Sequence, residues 1–338
     1  MAGTVLVTGG SGYIAGFLTR LLIERGWTVN TTIRNLAREP EVRAALGVPA
    51  ERLRFFAADL ERDDGWAEAM AGCSHVAHVA SPFPAEKMPD EALIRPARDG
   101  ALRALRFAKD AGVKRFVLTS SVAAVAYGHE PLNGGLYTEA DWTDVTAPGT
   151  SAYVKSKTIA ERAARDWMKE NGAGMEFCSV NPAAVLGPVM SADFSTSIQL
   201  VQRMLDGSLP GFPRIGFGVV DVRDLAELHL RALETSGLDG ERFIGSGRFM
   251  MMEEGGTILR ARLGEKARKV PKRRIPDFVV RLIGLFDGAV GQIVGELGRV
   301  RATDASHAER VLGWKTRDEG DSIVDTAESL IERGIVRL

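Results

Sequence analysis

Hydrophobic residues in the first two thirds of the chain alternate between short β-branched or aromatic runs and longer segments with helical spacing. Two helices are clearly bounded: one at residues 13–25, which ends at Gly26, and one at residues 97–111, which begins after Pro96. Strands that alternate with helices are typical of an α/β fold with a doubly wound parallel sheet, whose ligands bind at the carboxyl ends of the strands. The short runs predict six strands, at residues 5–8, 29–33, 53–57, 75–80, 115–119 and 176–180.

The alternation stops after Pro182. Residues 190–209 predict a helix, which a turn rich in Pro and Gly follows, and residues 321–332 predict a closing helix. Residues 219–235 and 242–245 predict one more helix and strand, which would return to the main sheet. We therefore expect a smaller, discontinuous C-terminal domain beside the sheet.

Composition and charge restrict the partners. The 338 residues include 43 basic and 44 acidic side chains, for a net charge of −1, so we expect no nucleic acid and no membrane as partner. Two cysteines allow neither a disulfide framework nor a four-cysteine zinc site, which favours a cytoplasmic protein. The N-terminus lacks a signal-peptide pattern, and four polar residues interrupt residues 278–297, which predict a buried or half-buried helix.

The link between the first strand and the first helix has the sequence TGGSGYIA, residues 8–15. Glycine permits a tight turn and close approach of the backbone to a pyrophosphate, and the helix N-terminus offers free N–H groups. The sequence therefore predicts a dinucleotide-binding Rossmann domain at residues 1–181, with residues 219–246 returning to it. Residues 182–218 and 247–338 would form the substrate-binding domain.

Arg34 follows the second strand, 19 residues after the end of the glycine loop at Ala15. An acidic residue at this point would bind the adenosine ribose 2′-hydroxyl, whereas a guanidinium suits a 2′-phosphate. The sequence thus predicts NADP(H) as cofactor. Arg38 would be a second cation, although either arginine could instead be a solvated loop residue.

Tyr153 and Lys157 are four residues apart in a segment with helical pattern at residues 151–169, so they share a helix face. A nearby ammonium favours the tyrosine anion, which would let Tyr153 exchange a proton with an alcohol oxygen during hydride transfer. The sequence Thr119-Ser120-Ser121 ends the fifth strand, where a hydroxyl could bind the same oxygen. His75 and His78 would face opposite sides of one strand, and we expect no metal site.

These motifs resemble those of the extended short-chain dehydrogenase/reductase family, also called the NAD(P)-dependent epimerase/dehydratase family, over nearly the full chain. Within it, the chain looks most similar to the dihydroflavonol reductase group, which includes carbonyl reductases. Ala15, Arg34 and Ala80-Ser81-Pro82 favour that group. The other matching segments are ADL at 58–60, FVLTSS at 116–121, NPA at 181–183, DVRDLA at 221–226 and LGW at 312–314.

The resemblance implies a catalytic triad of Ser121, Tyr153 and Lys157, with Ser120 as the alternative serine. Two positions differ from relatives: Ala126 stands where plant enzymes bind the flavonoid through Asn or Asp, and Ala97 replaces a proton-relay asparagine. The resemblance, together with Arg34 from the sequence, gives the cofactor contacts as Gly9, Ser11, Gly12, Tyr13, Ile14, Arg34, Asp59, Leu60, Ala80, Ser81, Thr119, Tyr153, Lys157, Pro182, Ala183 and Val185.

The expected activity is NADPH-dependent reduction of a ketone or aldehyde, or the reverse alcohol oxidation, by a monomer or homodimer. A sugar-nucleotide epimerase or dehydratase, a 3β-hydroxysteroid dehydrogenase-like enzyme and a dinucleotide-sensing regulatory protein are the alternatives. The basic residues at 266–274 predict a solvated face rather than a site for a phosphorylated substrate. Apolar residues that would favour a carbonyl substrate over a sugar nucleotide are Phe83, Met190, Phe194, Met204, Phe212 and residues 250–252.

Overall fold

A computed structural model describes residues 3–82, 89–129, 135–286 and 288–337. Its strands are Thr4–Val7 (β1), Thr28–Ile33 (β2), Leu53–Ala57 (β3), His75–His78 (β4), Arg115–Thr119 (β5), Glu176–Pro182 (β6), Ala184–Leu186 (β7), Gly216–Asp221 (β8), Arg242–Gly245 (β9) and Phe249–Met251 (β10). Its α-helices are Tyr13–Glu24 (α1), Glu39–Leu46 (α2), Trp66–Met70 (α3), Asp90–Asp110 (α4), Ala152–Asn171 (α5), Thr196–Asp206 (α6), Val222–Glu234 (α7), Met252–Leu263 (α8), Asp277–Gly284 (α9), Gly288–Ile293 (α10), Ser306–Leu312 (α11) and Glu319–Glu332 (α12).

The main sheet has seven parallel strands in the order β3-β2-β1-β4-β5-β6-β9. The strand order reverses between β1 and β4, and the carboxyl ends of the strands around this point are where doubly wound sheets bind ligands. A second sheet joins β7 and β8 in parallel and β8 and β10 antiparallel. The predicted fold class, a Rossmann sheet with a smaller C-terminal part, is confirmed, whereas the domain boundaries stay a prediction.

Helices cover both faces of the main sheet, and successive residues of a strand point to opposite faces, so side chains of both orientations are buried. On β1, Val5 and Val7 pack in a core that includes α1 and α7, whereas Leu6 packs in a core built with α3, α4 and α5. The central strands β1 and β5 accordingly consist largely of apolar residues, with the sequences TVLV and RFVLT.

The fourth helix begins earlier than predicted. α4 starts at Asp90, and Pro96 lies inside it rather than before its first turn. Proline removes one backbone hydrogen bond from a helix interior, but the first turns of α4 are stabilised by burial of Leu93 and Ile94. The prediction of a helix beginning at Ala97 was wrong.

Two predicted helices are shorter in the structure. Residues 219–221 belong to strand β8, and helix α7 follows because Asp221 caps it, accepting a hydrogen bond from Arg223 N over 2.9 Å. Residues 190–195 precede α6, which starts after an extended Ser195. Short polar side chains such as that of Asp221 favour a cap over a helix interior, whereas the side chain of Ser195 makes no capping bond to α6.

Residues 278–297 do not form the predicted buried or half-buried helix. They divide into α9, α10 and a short 3-10 turn, and Gly284 and Gly288 at the division are poor helix formers. Val280 is buried, but Phe278 is 72% exposed and Phe286 is 86% exposed. Apolar character alone thus did not indicate burial here.

Within the described ranges, no helix combines the length and the apolarity needed to cross a membrane. The same residues contain no group of three or more His, Cys, Asp or Glu side chains that could hold a metal ion. Cys73 and Cys178 are both free and buried.

Candidate active site

The glycine loop connects β1 to α1 and lies close to two neighbouring strands. Gly9 has a φ of +75°, which favours glycine, and a Cβ on it would lie 3.1 Å from Cα of Ala80. A Cβ on Gly10 would lie 2.2 Å from Oγ1 of Thr31 on β2. No side chain caps the first turn of α1 after Gly12, so its N–H groups face the loop. This geometry suits a bound anion.

Beside the glycine loop lies a cleft with about 400 Å³ of space that is open to solvent. Of the predicted cofactor contacts, Ser11, Gly12 and Tyr13 line it, together with α2 and residues 190–193. Ile14 packs against the hydrophobic core beneath. Met190 closes one side of the cleft, since its Cε would lie 2.8 Å from a Cβ on Gly16.

Arg34 and Arg38 differ in their surroundings. Arg34 is exposed directly after β2, and no hydrogen bond or ion pair engages its side chain within the described part of the chain. Arg38 pairs with Glu41 at 2.8 Å and with Asp193 at 3.1 Å. These bonds raise the pKa of Arg38 above its usual value. Arg34 is therefore the more available cation for a phosphate.

Three predicted contacts follow β3 and β4 at the same edge of the sheet. Asp59 accepts a hydrogen bond from Glu61 N over 2.9 Å, and Leu60 packs so closely on α4 that a Cβ on Gly100 would lie 2.9 Å from it. Ala80 N donates to Oγ1 of Thr8 over 2.9 Å, which holds the end of β4 against the glycine loop.

Ser81 and Thr119 both border a small cavity next to Lys157. The Oγ1 atom of Thr119, however, lies 2.8 Å from Nε2 of the buried His229 on α7. The hydroxyl of Thr119 is therefore engaged on the side of the sheet where α7 packs.

Ser121, Tyr153 and Lys157 come together beyond the end of β5. Ser121 caps a 3-10 turn, where its Oγ accepts from Ala123 N over 3.1 Å, and its hydroxyl lies close enough to the Tyr153 hydroxyl to influence the pKa of Tyr153. Tyr153 lies in the first turn of α5, and Nζ of Lys157 is 5.9 Å from the centre of its ring. Burial raises the pKa of Tyr153, and the neighbouring Ser121 hydroxyl opposes this rise.

The two adjacent serines have different partners. Ser120 Oγ donates to Oε2 of Glu161 over 2.6 Å, whereas Ser121 faces Tyr153 and also donates to Pro182 O over 3.4 Å. The structure therefore brings Ser121, rather than Ser120, next to Tyr153.

Burial lowers the pKa of Lys157 to about 8, and the negative charge of Glu161 opposes this effect. His78 on β4 borders the same small cavity, which offers about 20 Å³ to a water molecule. Burial, with a smaller effect of Lys157, lowers the pKa of His78 to about 3, so it is neutral at physiological pH. Its Nδ1 lies 3.1 Å from Oγ1 of Thr8.

The remaining predicted contacts lie at the end of β6 and on β7. Pro182 ends β6, and Ala183 N donates to Gly245 O over 3.0 Å, which joins this segment to β9. Val185 on β7 is buried, and its carbonyl accepts from Ser197 Oγ over 2.7 Å. None of these contacts with a cofactor is tested by the geometry, and they stay predictions.

Three polar residues close to Ser121 and the helix of Tyr153 and Lys157 were not predicted from the sequence: Glu161, Asn181 and Arg242. All three are buried, and Glu161 and Asn181 bond to each other over 2.8 Å. The available signal was the repeat of four between Tyr153, Lys157 and Glu161, which places the three on one face of α5.

Most of the apolar residues expected around the substrate belong to the core instead. Met204, Phe212, Met250 and Met252 are buried there, and Phe194 packs against it. Phe83 lies outside the described residues. The basic residues at 266–274 are exposed, and Arg274 pairs with Glu253.

Known proteins resemble this chain in sequence and in fold. The family described as the NAD dependent epimerase/dehydratase family matches residues 5–244. Cinnamoyl-CoA reductase CAD2 from Medicago truncatula is 39% identical over 247 residues, which cover 71% of this chain and 75% of the relative. Vestitone reductase from Medicago sativa is 31% identical over 292 residues, covering 81% of this chain and 88% of the relative.

Among solved structures, the yeast methylglyoxal/isovaleraldehyde reductase Gre2 complexed with NADPH is similar, with a TM-score of 0.79 and 26% identity. The match covers 98% of this chain and 100% of that structure. The chain therefore belongs to the NAD-dependent epimerase/dehydratase family, the extended short-chain dehydrogenases/reductases, and within it to the NAD(P)-dependent reductases of the dihydroflavonol, cinnamoyl-CoA and Gre2 type.

Proposed function

We propose that this protein is an NADPH-dependent carbonyl reductase, which reduces a ketone or an aldehyde and also catalyses the reverse alcohol oxidation. The observation that carries this proposal is the placement of Ser121 beside Tyr153, with Lys157 on the same face of α5. These groups lie at the carboxyl end of the parallel sheet, next to the end of β4. Hydroxyls at this place can act on a carbonyl oxygen.

The residues present fit NADPH. The glycine loop leaves no space for side chains at Gly9 and Gly10, and the uncapped start of α1 offers N–H groups to a pyrophosphate. Arg34 would hold the 2′-phosphate, since its guanidinium is exposed and unpaired within the described ranges. When bound, the cofactor supplies the hydride that reduces the carbonyl carbon.

The triad residues then act on the carbonyl oxygen. Ser121 donates a hydrogen bond that polarises the carbonyl, and Tyr153 transfers its phenolic proton to the oxygen as the alcohol forms. Because burial raises the pKa of Tyr153, the phenol is protonated at neutral pH, which is the form that reduction requires. Lys157 stabilises the phenolate that remains until solvent returns a proton.

The names of the relatives support reduction over the alternatives. Cinnamoyl-CoA reductase, vestitone reductase and the methylglyoxal/isovaleraldehyde reductase are all named as reductases. The region that the family matches, residues 5–244, includes the glycine loop, Ser121, Tyr153 and Lys157. The epimerase, the steroid dehydrogenase and the non-enzymatic sensor are the alternatives, which the following test separates from carbonyl reduction.

The test is an NADPH-oxidation screen over aromatic, aliphatic and steroid ketones and aldehydes, with UDP-sugars as a separate arm. We expect turnover of at least one carbonyl compound, and a loss of about 100-fold or more in kcat for Tyr153→Phe with NADPH binding retained. Turnover of UDP-sugars with tightly held cofactor would replace the proposal with the epimerase. A fully active Tyr153→Phe variant would exclude the triad mechanism.

A further inference from the structure

Glu161 is a fully buried carboxylate for which the proposed mechanism has no use. It lies on α5 four residues after Lys157 and eight after Tyr153, so all three share one face of the helix. A buried acid is costly unless it is paired and hydrogen bonded, so its surroundings need to be explained.

The carboxylate of Glu161 accepts hydrogen bonds from the ends of two strands. Oε2 accepts from Ser120 Oγ, just beyond β5, over 2.6 Å and from Asn181 Nδ2, on β6, over 2.8 Å. Oε1 accepts from Ser179 Oγ, also on β6, over 2.8 Å. One side chain of the catalytic helix thus holds both strand ends.

These bonds act directly on Ser121. Asn181 Nδ2, which bonds to Glu161, also donates to Ser121 O over 3.1 Å. Ser120 precedes Ser121, and Pro182, whose carbonyl accepts from Ser121 Oγ, follows Asn181. The backbone of Ser121 is therefore tied through two routes to the helix that carries Tyr153.

Two arginines keep Glu161 ionised. Burial alone would raise the pKa of Glu161, but Arg242 on β9 and Arg165 on α5 outweigh it, and the pKa is lowered. Arg242 Nε bonds to Oε1 over 2.8 Å and Arg165 Nε over 3.2 Å. The charge that remains on Glu161 favours the ammonium form of Lys157, whereas His78, facing Lys157 from β4, is neutral.

We propose that Glu161 is a positioning residue for the reduction: it holds Ser121 in register with Tyr153 and keeps Lys157 charged. This inference rests on the proposed function, because it assigns a role in the same reaction. Glu161 does not contact the reacting atoms and acts through Ser120, Asn181 and Lys157.

The test compares kcat, KM and pH profiles of wild type and Glu161→Gln with NADPH and a carbonyl substrate identified by the screen. We expect kcat to fall about 10- to 100-fold, while the Kd for NADPH changes less than about threefold, because the glycine loop is untouched. The alkaline loss of kcat should begin at a lower pH, by up to about one unit, since Lys157 loses its negative neighbour. Glu161→Asp, which keeps the charge, should restore the alkaline limb.

A second variant separates position from charge. Asn181→Ala removes the bond to Ser121 O but retains the pairing of Glu161 with Arg242. We expect it to lower kcat about tenfold and to leave the alkaline limb unchanged. If Glu161→Gln does not yield folded protein, the kcat of Asn181→Ala tests the positioning of Ser121. The alkaline limb of Glu161→Asp then tests the effect of the negative charge on Lys157.

Glu176→Gln is the matched control. Glu176 pairs with Arg115 at 2.7 Å at the opposite ends of the same two strands, β5 and β6. Equal kcat for Glu161→Gln and wild type, or parallel losses in kcat for Glu161→Gln and Glu176→Gln, would overturn the inference. Wild type that reduces no carbonyl compound would instead defeat the proposed function itself.

Discussion

Replacing Arg34 with alanine should weaken the use of NADPH far more than the use of NADH. Arg34 is exposed after β2 and makes no hydrogen bond or ion pair within the described residues, so its removal costs the fold little. Only NADPH carries the 2′-phosphate that a guanidinium at this position can bind. The effect should therefore be confined to one coenzyme.

The expected magnitude follows from one charge-assisted contact. Hydrogen bonds to charged groups contribute about 1.5–3 kcal/mol, and each ~1.4 kcal/mol changes an equilibrium constant tenfold. Because Arg34 is exposed, water and salt reduce the contribution, which favours the lower end of that range. We expect kcat/KM with NADPH to fall about 10- to 30-fold and kcat/KM with NADH to change less than about twofold.

The assay measures kcat/KM for both coenzymes with one carbonyl substrate, at low and at high ionic strength. Arg38→Ala serves as the comparison, because Arg38 is already paired with Glu41 and Asp193. This variant should change the ratio of NADPH to NADH efficiency by about threefold or less. An unchanged ratio of NADPH to NADH efficiency in Arg34→Ala, or a larger effect from Arg38→Ala, would refute the assignment of the 2′-phosphate to Arg34.

Three further predictions concern residues that support the site. Gly9→Ala should lose about 1–2 kcal/mol of stability and bind NADPH poorly, because Gly9 has a positive φ and contacts the end of β4. Gly26→Ala is the control, since Gly26 also has a positive φ, +88°, but open space around it. A fluorescence titration should show that Gly26→Ala keeps NADPH binding. Arg242→Met should lower the free energy of unfolding, measured by urea denaturation, by about 3 kcal/mol, because it removes one of the positive charges that pair with the buried Glu161. A loss below about 1 kcal/mol would contradict this. Burial lowers the pKa of His229 from 6.5 to about 4. As the pH falls from 6.5 to 4, the unfolded state therefore binds a proton at His229 that the folded state does not bind. The free energy of unfolding should decline by about 3 kcal/mol over this pH range. In His229→Gln that part of the decline should vanish, and an identical pH dependence in both proteins would show that His229 is not its source.

Much of the fold could be predicted because local pattern and tertiary structure agree in the main sheet. Short β-branched runs and the glycine at the end of α1 indicate strands and a helix boundary without reference to distant residues. At Pro96, the local sequence pattern and the tertiary structure disagree. The local preference of proline predicts a helix start, but burial of Leu93 and Ile94 by distant parts of the chain extends α4 to Asp90. Such contacts are not visible in a local pattern.

The candidate site shows the same division. The spacing of Tyr153 and Lys157 predicts that the two side chains share one helix face, whereas Ser121 was added to them by the family resemblance. Glu161 has the same spacing, but an acid four residues before Arg165 is also typical of a solvated helix surface. Its importance arises from Asn181 and Arg242, which are near it only in the folded chain. Pairings between distant segments cannot be derived from spacing.

The connection from β6 to β9 affects how the protein can be assembled during synthesis. After β6 the chain leaves the main sheet, forms β7, β8 and α7, and only then returns with β9, which pairs with β6 from Ser179↔Arg242 to Pro182↔Gly245. Until residue 245 has emerged from the ribosome, β6 has an unpaired edge, which is a template for association with other chains. A fragment that ends at residue 181 would retain that edge permanently and would also lack Arg242, the counter-ion of Glu161. We therefore expect that the main sheet does not fold as an independent module, and that a protein shortened to the N-terminal half of this chain aggregates.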